Sequence, residues 1–322
     1  MFQGIEYVLA VYEEKSFSKA AKKLFISQPS LSANIKRIEN KLGQPIFDRS
    51  TIPLTLTEFG QEYISKAKEI SRIEADFTNY INDYSNLERG KLVFGGTSLF
   101  ASLILPKLVA NFSKQFPNLE LDLIEENTSK LITMLDEGQI DILIENTVLD
   151  DNIFDRSLFG HESLFIAIPS HFDINKELIP YQLTAKEIKN HYPKLDHVPA
   201  LPVRMLKDQS FVFLKEDNDT GQRAKQICIE NDFKPIIAFR VDQQMTAYNI
   251  TLSGMAISFV GNTLISRTVL NDGIIYYRLE EKPAHRELYF YWKKDRYHSN
   301  ALRKFLDLLN RDSGDIDQIL SL

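Results

Sequence analysis

The sequence predicts an all-α N-terminal unit of winged helix-turn-helix type, one long helix behind it, and an α/β body with a doubly wound pattern. Three observations predict this. Short amphipathic segments separated by turn residues fill the first 43 positions, and a proline-free stretch of about thirty residues then carries a continuous apolar stripe at helical spacing. From Lys91 onward, short apolar runs alternate with helical ones.

The bulk properties are those of a folded protein of more than one domain. The chain has 322 residues, 43% hydrophobic and 25% charged, against roughly 100 to 200 residues for a typical domain. No run approaches the roughly 20 apolar residues needed to cross a bilayer. Met1 to Val11 carries Glu6 where a secretory signal would be basic and uninterrupted, so a cytoplasmic location without membrane contact is expected. The one cysteine, Cys228, stands between Ile227 and Ile229 and reads as a small buried residue, not a nucleophile. The net charge of −6 is unevenly spread. Residues 1–60 carry +2 and the remainder −8, and from Lys15 to Arg37 there are six basic side chains and no acidic one. An acidic protein therefore keeps one positive face.

Ile5, Val8, Leu9 and Tyr12 mark a first helix over residues 4–14. Lys15-Ser16 ends it, and Ser16 or Ser18 can cap a second helix, Ser18 to Phe25, whose Ala20 and Ala21 permit close approach of a neighbour. After the turn at Ile26, Ser27 caps a third helix with Pro29 in its first turn. Leu31, Ile35, Ile38 and Leu42 form its buried stripe. The opposite face shows Gln28, Ser30, Ser32, Ala33, Asn34, Lys36 and Arg37. Short polar groups suit base edges in a major groove, and the basic residues suit phosphates. Pro45 to Arg49 and Leu54 to Leu56 then read as two short strands, a wing around the Ser50–Pro53 turn, with Arg49 placed to meet the DNA backbone or minor groove.

Ser16-Phe17-Ser18, Ala20-Ala21, Ser27-Gln28-Pro29-Ser30-Leu31-Ser32, Ile38-Glu39, Leu42-Gly43, Ile46-Phe47-Asp48-Arg49 and Leu56-Thr57-Glu58-Phe59-Gly60 together resemble the DNA-binding domain of the LysR-type transcriptional regulators. The resemblance implies operator contacts from Ser18, Gln28, Pro29, Ser30, Ser32, Ala33, Asn34, Lys36, Arg37 and Arg49. Asn34 stands where the family often carries Arg or Gln. It further implies a winged helix-turn-helix domain over 1–59, with the helix-turn-helix at 18–37. A dimerising linker helix over 60–88 and an effector domain over 90–310 follow. That domain would have two α/β lobes like a type 2 periplasmic binding protein, with lobe I about 90–164 and 266–310, and lobe II about 165–265. Double-stranded DNA, a small-molecule effector and further copies of the chain, as a homodimer or homotetramer, are the implied partners.

The linker reading also rests on residues. Tyr63, Ile64, Ala67, Ile70, Ile73, Phe77, Tyr80, Ile81 and Tyr84 recur every three or four positions between Thr57 and Leu87, a stripe one helix cannot bury by itself. In the body, strands are expected at Leu92–Phe94, Leu119–Ile124, Ile140–Ile144, Leu164–Ile168, Phe211–Leu214, Ile236–Val241, Ala256–Val260, Ile274–Leu279 and Glu287–Trp292, with helices at Leu103–Phe116 and Thr128–Glu137. The family pattern leaves Leu183 to Pro202 as an insertion, with a helical stretch at Thr184–Asn190.

Gly95-Gly96-Thr97-Ser98 follows a strand but lacks the spacing and lysine of a nucleotide loop. Thr97 and Ser98 either cap the next helix or meet a polar ligand there. Similar turns recur at Asn127-Thr128-Ser129, Asp219-Thr220-Gly221 and Asp242-Gln243-Gln244. Ligands bind open α/β sheets at the C-terminal ends of the strands, so Thr97, Ser98, Thr128, Thr220, Gln243 and Gln244 are the expected effector residues. The six histidines have no metal-ligand spacing, and no catalytic motif is present, so neither a metal, a cofactor nor enzymatic activity is expected. The alternative is a small-molecule-binding or catalytic α/β protein with an accessory nucleic-acid module. A structural DNA binder would need a basic body, and this one is acidic.

Overall fold

The computed structural model describes residues 2–51, 53–84, 90–215 and 218–311, without the side chains of 82, 84, 310 and 311. The chain forms two compact units, Met1–Ile81 and Asn82–Leu322.

In the first unit, α1 (Ile5–Glu14), α2 (Phe17–Lys23) and α3 (Gln28–Leu42) pack around Val8, Val11, Ala20, Ala21, Leu31 and Ile35. Ser16, not Ser18, caps α2 by accepting from the Lys19 N–H at 3.4 Å. That helix ends two residues before the expected Phe25, because the Leu24 N–H closes on Ala20 and Phe25 turns left-handed at φ 54°. Phe25 is left 95% exposed. Ser27 caps α3 through the Ser30 N–H at 3.3 Å, Pro29 occupies the first turn where no N–H is needed, and Gly43 stops the helix at φ 75°. The wing is β1 (Phe47–Asp48) paired antiparallel with β2 (Thr55–Leu56).

Helix α4 (Glu58–Tyr84) runs 27 residues, about 40 Å at 1.5 Å per residue. Its early turns belong to the same core through Tyr63, Ile64 and Ala67, with Ile70 packed against them. Ile73, Phe77, Tyr80 and Ile81 are exposed, and Phe77 stacks on Tyr80. Residues 85–87, the expected end of this helix, lie outside the described residues.

The second unit begins with β3 (Gly90–Gly96), α5 (Ser98–Leu103), α6 (Leu105–Gln115), β4 (Leu119–Glu125), α7 (Thr128–Asp136) and β5 (Ile142–Glu145). The single helix expected over Leu103–Phe116 is two, broken at Ile104, where Pro106 at the second position of α6 supplies no amide to the preceding turn. Strand β3 lies parallel between β4 and β5. Strand β6 (Phe154–Pro169) follows, 16 residues long. Then come β7 (Gln182–Leu183), α8 (Ala185–His191), β8 (Ser210–Leu214), α9 (Asp219–Glu230), β9 (Ile236–Val241), α10 (Gln244–Leu252), β10 (Ile257–Gly261), α11 (Asn262–Arg267), β11 (Ile274–Arg278), β12 (His285–Lys293) and α12 (Asn300–Arg311).

Strand β6 serves both lobes. Its residues Phe154–Ser163 pair with β12, which continues to β5, while the stretch from Leu164 to Pro169 pairs with β10 and β11. Beyond β10 lie β8 and β9, all three parallel. The first lobe centres on Phe94, Phe112, Phe290 and Phe305, the second on Phe211, Phe213, Ile227 and Phe259. The expected return to the first lobe near residue 265 comes later. Strand β11 covers the free edge of β6 within the second lobe, so 266–278 stay there and the chain leaves only before His285. The insertion also belongs to this lobe. Strand β7 extends β11, and α8 is started by a capping box between Thr184 and Glu187. Helix α8 buries Ile188 in a cluster with Leu264 and Tyr276. Among the described residues, no helix is long and apolar enough to cross a membrane.

Candidate nucleic-acid interface and ligand cleft

The face of α3 opposite its core stripe carries Gln28, Pro29, Ser30, Ala33, Lys36 and Arg37 exposed, with Ser32 and Asn34 half-buried. Ser18 is exposed on α2. Asn34 is partly committed, since its Oδ1 accepts from the Arg37 guanidinium at 2.9 Å. Arg49 is more so. Its guanidinium donates to Glu39 Oε2 at 2.9 Å and sits 5.1 Å from the centre of the Phe17 ring. Glu39 Oε1 also accepts from the Ile46 and Phe47 amides, so one carboxylate ties the wing to α3.

In the second unit, the strand ends meet in a small cavity of about 40 Å³. Thr97, Thr128, Thr220, Gln243 and Gln244 all line it. Ser98 does not. Thr97 is the N-cap residue of α5, yet its side chain makes no capping bond, which leaves that hydroxyl available. Thr128 donates to Glu145 Oε2 at 2.9 Å, while the neighbouring Asn127 caps α7. Gln244 is tied down on both sides: its amide donates to Thr220 Oγ1 at 3.3 Å and its Oε1 accepts from the Gly261 N–H at 3.2 Å. It therefore braces α10 against α9 and β10.

Sequence reasoning missed the charged part of this cavity. Glu145, Glu162 and Asp219 share its wall. Glu145, 1% exposed, ends the buried strand β5 and accepts from the Thr128 hydroxyl and the Asn146 and Thr147 amides. Burial pushes its carboxyl up to about 7, against those hydrogen bonds and with Asp219 adding repulsion. Glu162, also 1% exposed, lies on β6 just before the switch between lobes and pairs through Oε2 with Asn146 at 2.8 Å and Arg223 at 3.4 Å. Burial likewise raises its pKa, and the Arg223 charge opposes the rise. Arg223 is held by the Pro283 and Ala284 carbonyls, and Arg286 meets Asp219 at 2.9 Å. The signal in the sequence was a carboxylate closing an apolar strand, Ile142-Leu143-Ile144-Glu145, at the end where such sheets bind ligands.

A larger cavity of about 1050 Å³ lies beside Ser163, Tyr192, Leu195 and His285, with Asn146 and Glu162 bordering both. From the first lobe it receives only the end of β5, through Asn146, whereas the smaller cleft also receives Thr97 after β3 and Thr128 after β4 and is the better match to strand-end chemistry. Cys228 is buried, and burial pushes its thiol up to about 12, which fits a packing residue.

This architecture has known counterparts. Residues 2–61 match the family model described as a bacterial regulatory helix-turn-helix protein of the lysR family. Residues 85–313 match the LysR substrate binding domain. The chain belongs to the LysR family: it is a transcriptional regulator with a DNA-binding helix-turn-helix and an effector-binding domain. The uncharacterized HTH-type transcriptional regulator YcgK of Bacillus subtilis (strain 168) is 29% identical over 304 residues, spanning 94% of this chain and 92% of that protein. The uncharacterized regulator YnfL of Escherichia coli (strain K12) is 26% identical, spanning 95% and 97%. Among solved structures, full-length CbnR complexed with its target DNA has a TM-score of 0.63 at 17% identity, covering 97% of this chain and 99% of that one. A full-length OxyR variant from Pseudomonas aeruginosa has a TM-score of 0.66 at 18% identity, covering 98% and 96%. These two likenesses define the fold.

Proposed function

We propose that the chain acts as a dimer whose α3 faces, Gln28 to Arg37 with Ser18 and the wing residue Arg49 alongside, read two operator half-sites. A small molecule held at Thr97, Thr128, Thr220 and Gln243 sets the response and is bound without being consumed. Gln244 serves this site by bracing the second lobe, and Ser98 acts outside it. The observation that carries the reading is the convergence of strand-end side chains from both lobes on one cleft. The exposed apolar stripe of α4 supports dimerisation, since such a surface calls for a second copy.

Selection from random duplex DNA tests the first part. The full-length chain should retain paired half-sites about one helical turn apart or a multiple of it. A metabolite panel read by melting temperature tests the second. A hit should lose about 1 to 3 kcal/mol of affinity in Thr97→Val or Thr128→Val and be recovered chemically unchanged after incubation. Undiminished affinity in both variants would place the ligand elsewhere.

A further inference from the structure

The cleft wall brings together three carboxylates, Glu145, Glu162 and Asp219, and among the described residues no Lys, Arg or His lines it. The nearby arginines are spent elsewhere: Arg223 on two main-chain carbonyls and on Glu162 and Asp219, Arg286 on Asp219. Two buried carboxylate oxygens at this wall have no hydrogen-bond partner among the described residues: Asp219 Oδ2, which faces the Arg223 guanidinium at 3.6 Å, and Glu162 Oε1, which has no charged partner either. An unpartnered acceptor on a 1% exposed side chain is costly unless something donates to it in another state of the molecule. An anion placed here would meet acidic side chains from both lobes and no basic side chain in the lining, whereas a cation with N–H donors would satisfy the free Glu162 acceptor and draw the lobes together.

We propose that the effector of this regulator is an organic cation, carrying an ammonium or guanidinium group that enters the cleft between Glu145, Glu162 and Asp219. The proposal rests on the assignment of the cleft as the effector site. Thr97 and Thr128 add hydroxyl acceptors, and Leu99, Phe100 and Leu214 supply apolar contact for a short carbon chain. The volume of about 40 Å³ admits a few water-sized groups, so the head group fits and a longer body requires the lobes to part. Among the described residues no group of three His, Cys, Asp or Glu side chains could hold a metal ion, which favours an N–H donor over a bare metal. Glu145, with a carboxyl raised to about 7, must give up its proton to pair with the cation. The titratable groups around it are Asp219 on α9, Tyr291 on the neighbouring strand β12 and Glu162 of β6 on the same wall.

The test uses the full-length chain in buffers free of primary amines. Methylammonium, putrescine, agmatine, L-lysine and L-arginine, each at 10 mM, are compared with succinate, benzoate, phosphate and magnesium by melting temperature. At least one amine should raise it and none of the anions should. That amine should bind more tightly at pH 8 than at pH 6, by up to about tenfold for a group titrating near 7, with proton release at pH 7 shown by calorimetry in two buffers of different ionisation enthalpy. Glu145→Gln, which keeps the shape, should weaken it at least tenfold. A flat response to all five amines, an equal response to magnesium, or an amine whose binding ignores Glu145→Gln overturns the cationic assignment. An anion whose response vanishes in Thr128→Val overturns it too but leaves the cleft in place. A response untouched by both Thr97→Val and Thr128→Val overturns the cleft itself.

Discussion

On the α3 face proposed to read DNA, Arg37 donates to Asn34 at 2.9 Å. Arg37 is exposed and charged, so Arg37→Ala should weaken binding to all sequences alike and flatten the salt dependence of the association constant by about one unit of slope. Ser30 is exposed at the N-terminal end of α3, and Ser30→Ala should relax base preference by about 1 to 3 kcal/mol at one position if it meets a base edge. Fluorescence anisotropy on operator and random duplexes over a salt series measures both, and equal losses on both duplexes for Ser30→Ala would remove it from base reading. The residue types of this face were legible in the sequence because α3 is amphipathic and capped at both ends. That Asn34 and Arg49 already have protein partners was not legible, because those partners, Arg37 and Glu39, are recognised only once a helix is wound and a wing folded back.

Helix α4 shows how far periodicity reaches and where it stops. Spacing alone put Ile70, Ile73 and Phe77 on one stripe, but Ile70 packs against the core of its own unit, while Ile73 and Phe77 stay 57% and 61% exposed. Periodicity gives the face of a helix and says nothing of how much of its length a neighbour covers. Ile73→Asp combined with Phe77→Asp should therefore break a dimer without unfolding the first unit, placing charge in a dry contact at a cost of several kcal/mol. Sedimentation would reveal a monomer, and an unchanged mass for a dimeric parent would move the contact elsewhere. The start of the same helix offers a second outcome. A Cβ on Gly60 would lie 2.0 Å from the Ile46 carbonyl oxygen, which accepts from the Thr57 N–H at the wing. Gly60→Ala should cost roughly 3 kcal/mol or more, since a backbone atom has to move, and thermal unfolding of residues 1–84 against the parent would measure it.

At the scale of the molecule, the alternation of strands and helices was legible and their allegiance to lobes was not. Strand β11 is apolar and short like its neighbours, and only its pairing with β6 assigns it to the second lobe. The insertion was unplaceable for the same reason, its contacts with β11 and α11 being long-range. Ile188→Ala should cost about 2 to 5 kcal/mol through the cavity left beside Leu264, measurable by denaturant titration. The acidic cleft adds a pH dependence. Glu145 titrates near 7 when folded against 4.5 ordinarily, so between these values the folded chain holds a proton the unfolded chain has lost. Its contribution is fully present below about 4.5 and is lost as pH rises through 7. Stability relative to Glu145→Gln should fall by on the order of 3 kcal/mol over that window, and parallel unfolding curves at pH 5 and 8 would deny it.

Because β6 runs regularly from Gly160 to Pro169, past a bulge at Phe159, the lobes share a parity over that stretch. Leu164, Ile166 and Ile168 point into one cluster of the second lobe, and Phe165 and Ala167 into the other, while upstream the pairing with β12 slips by one residue at Phe159. Losing one residue at the Ser163–Leu164 junction would send the three branched side chains to one face and the phenylalanine and alanine to the other, reversing the two sets, whereas losing two would restore the faces and merely shorten the span. Length variation among homologous chains at this junction should accordingly come in even steps, and grafting one lobe onto another chain's partner lobe should succeed only when the counts of residues along the common strand agree modulo two.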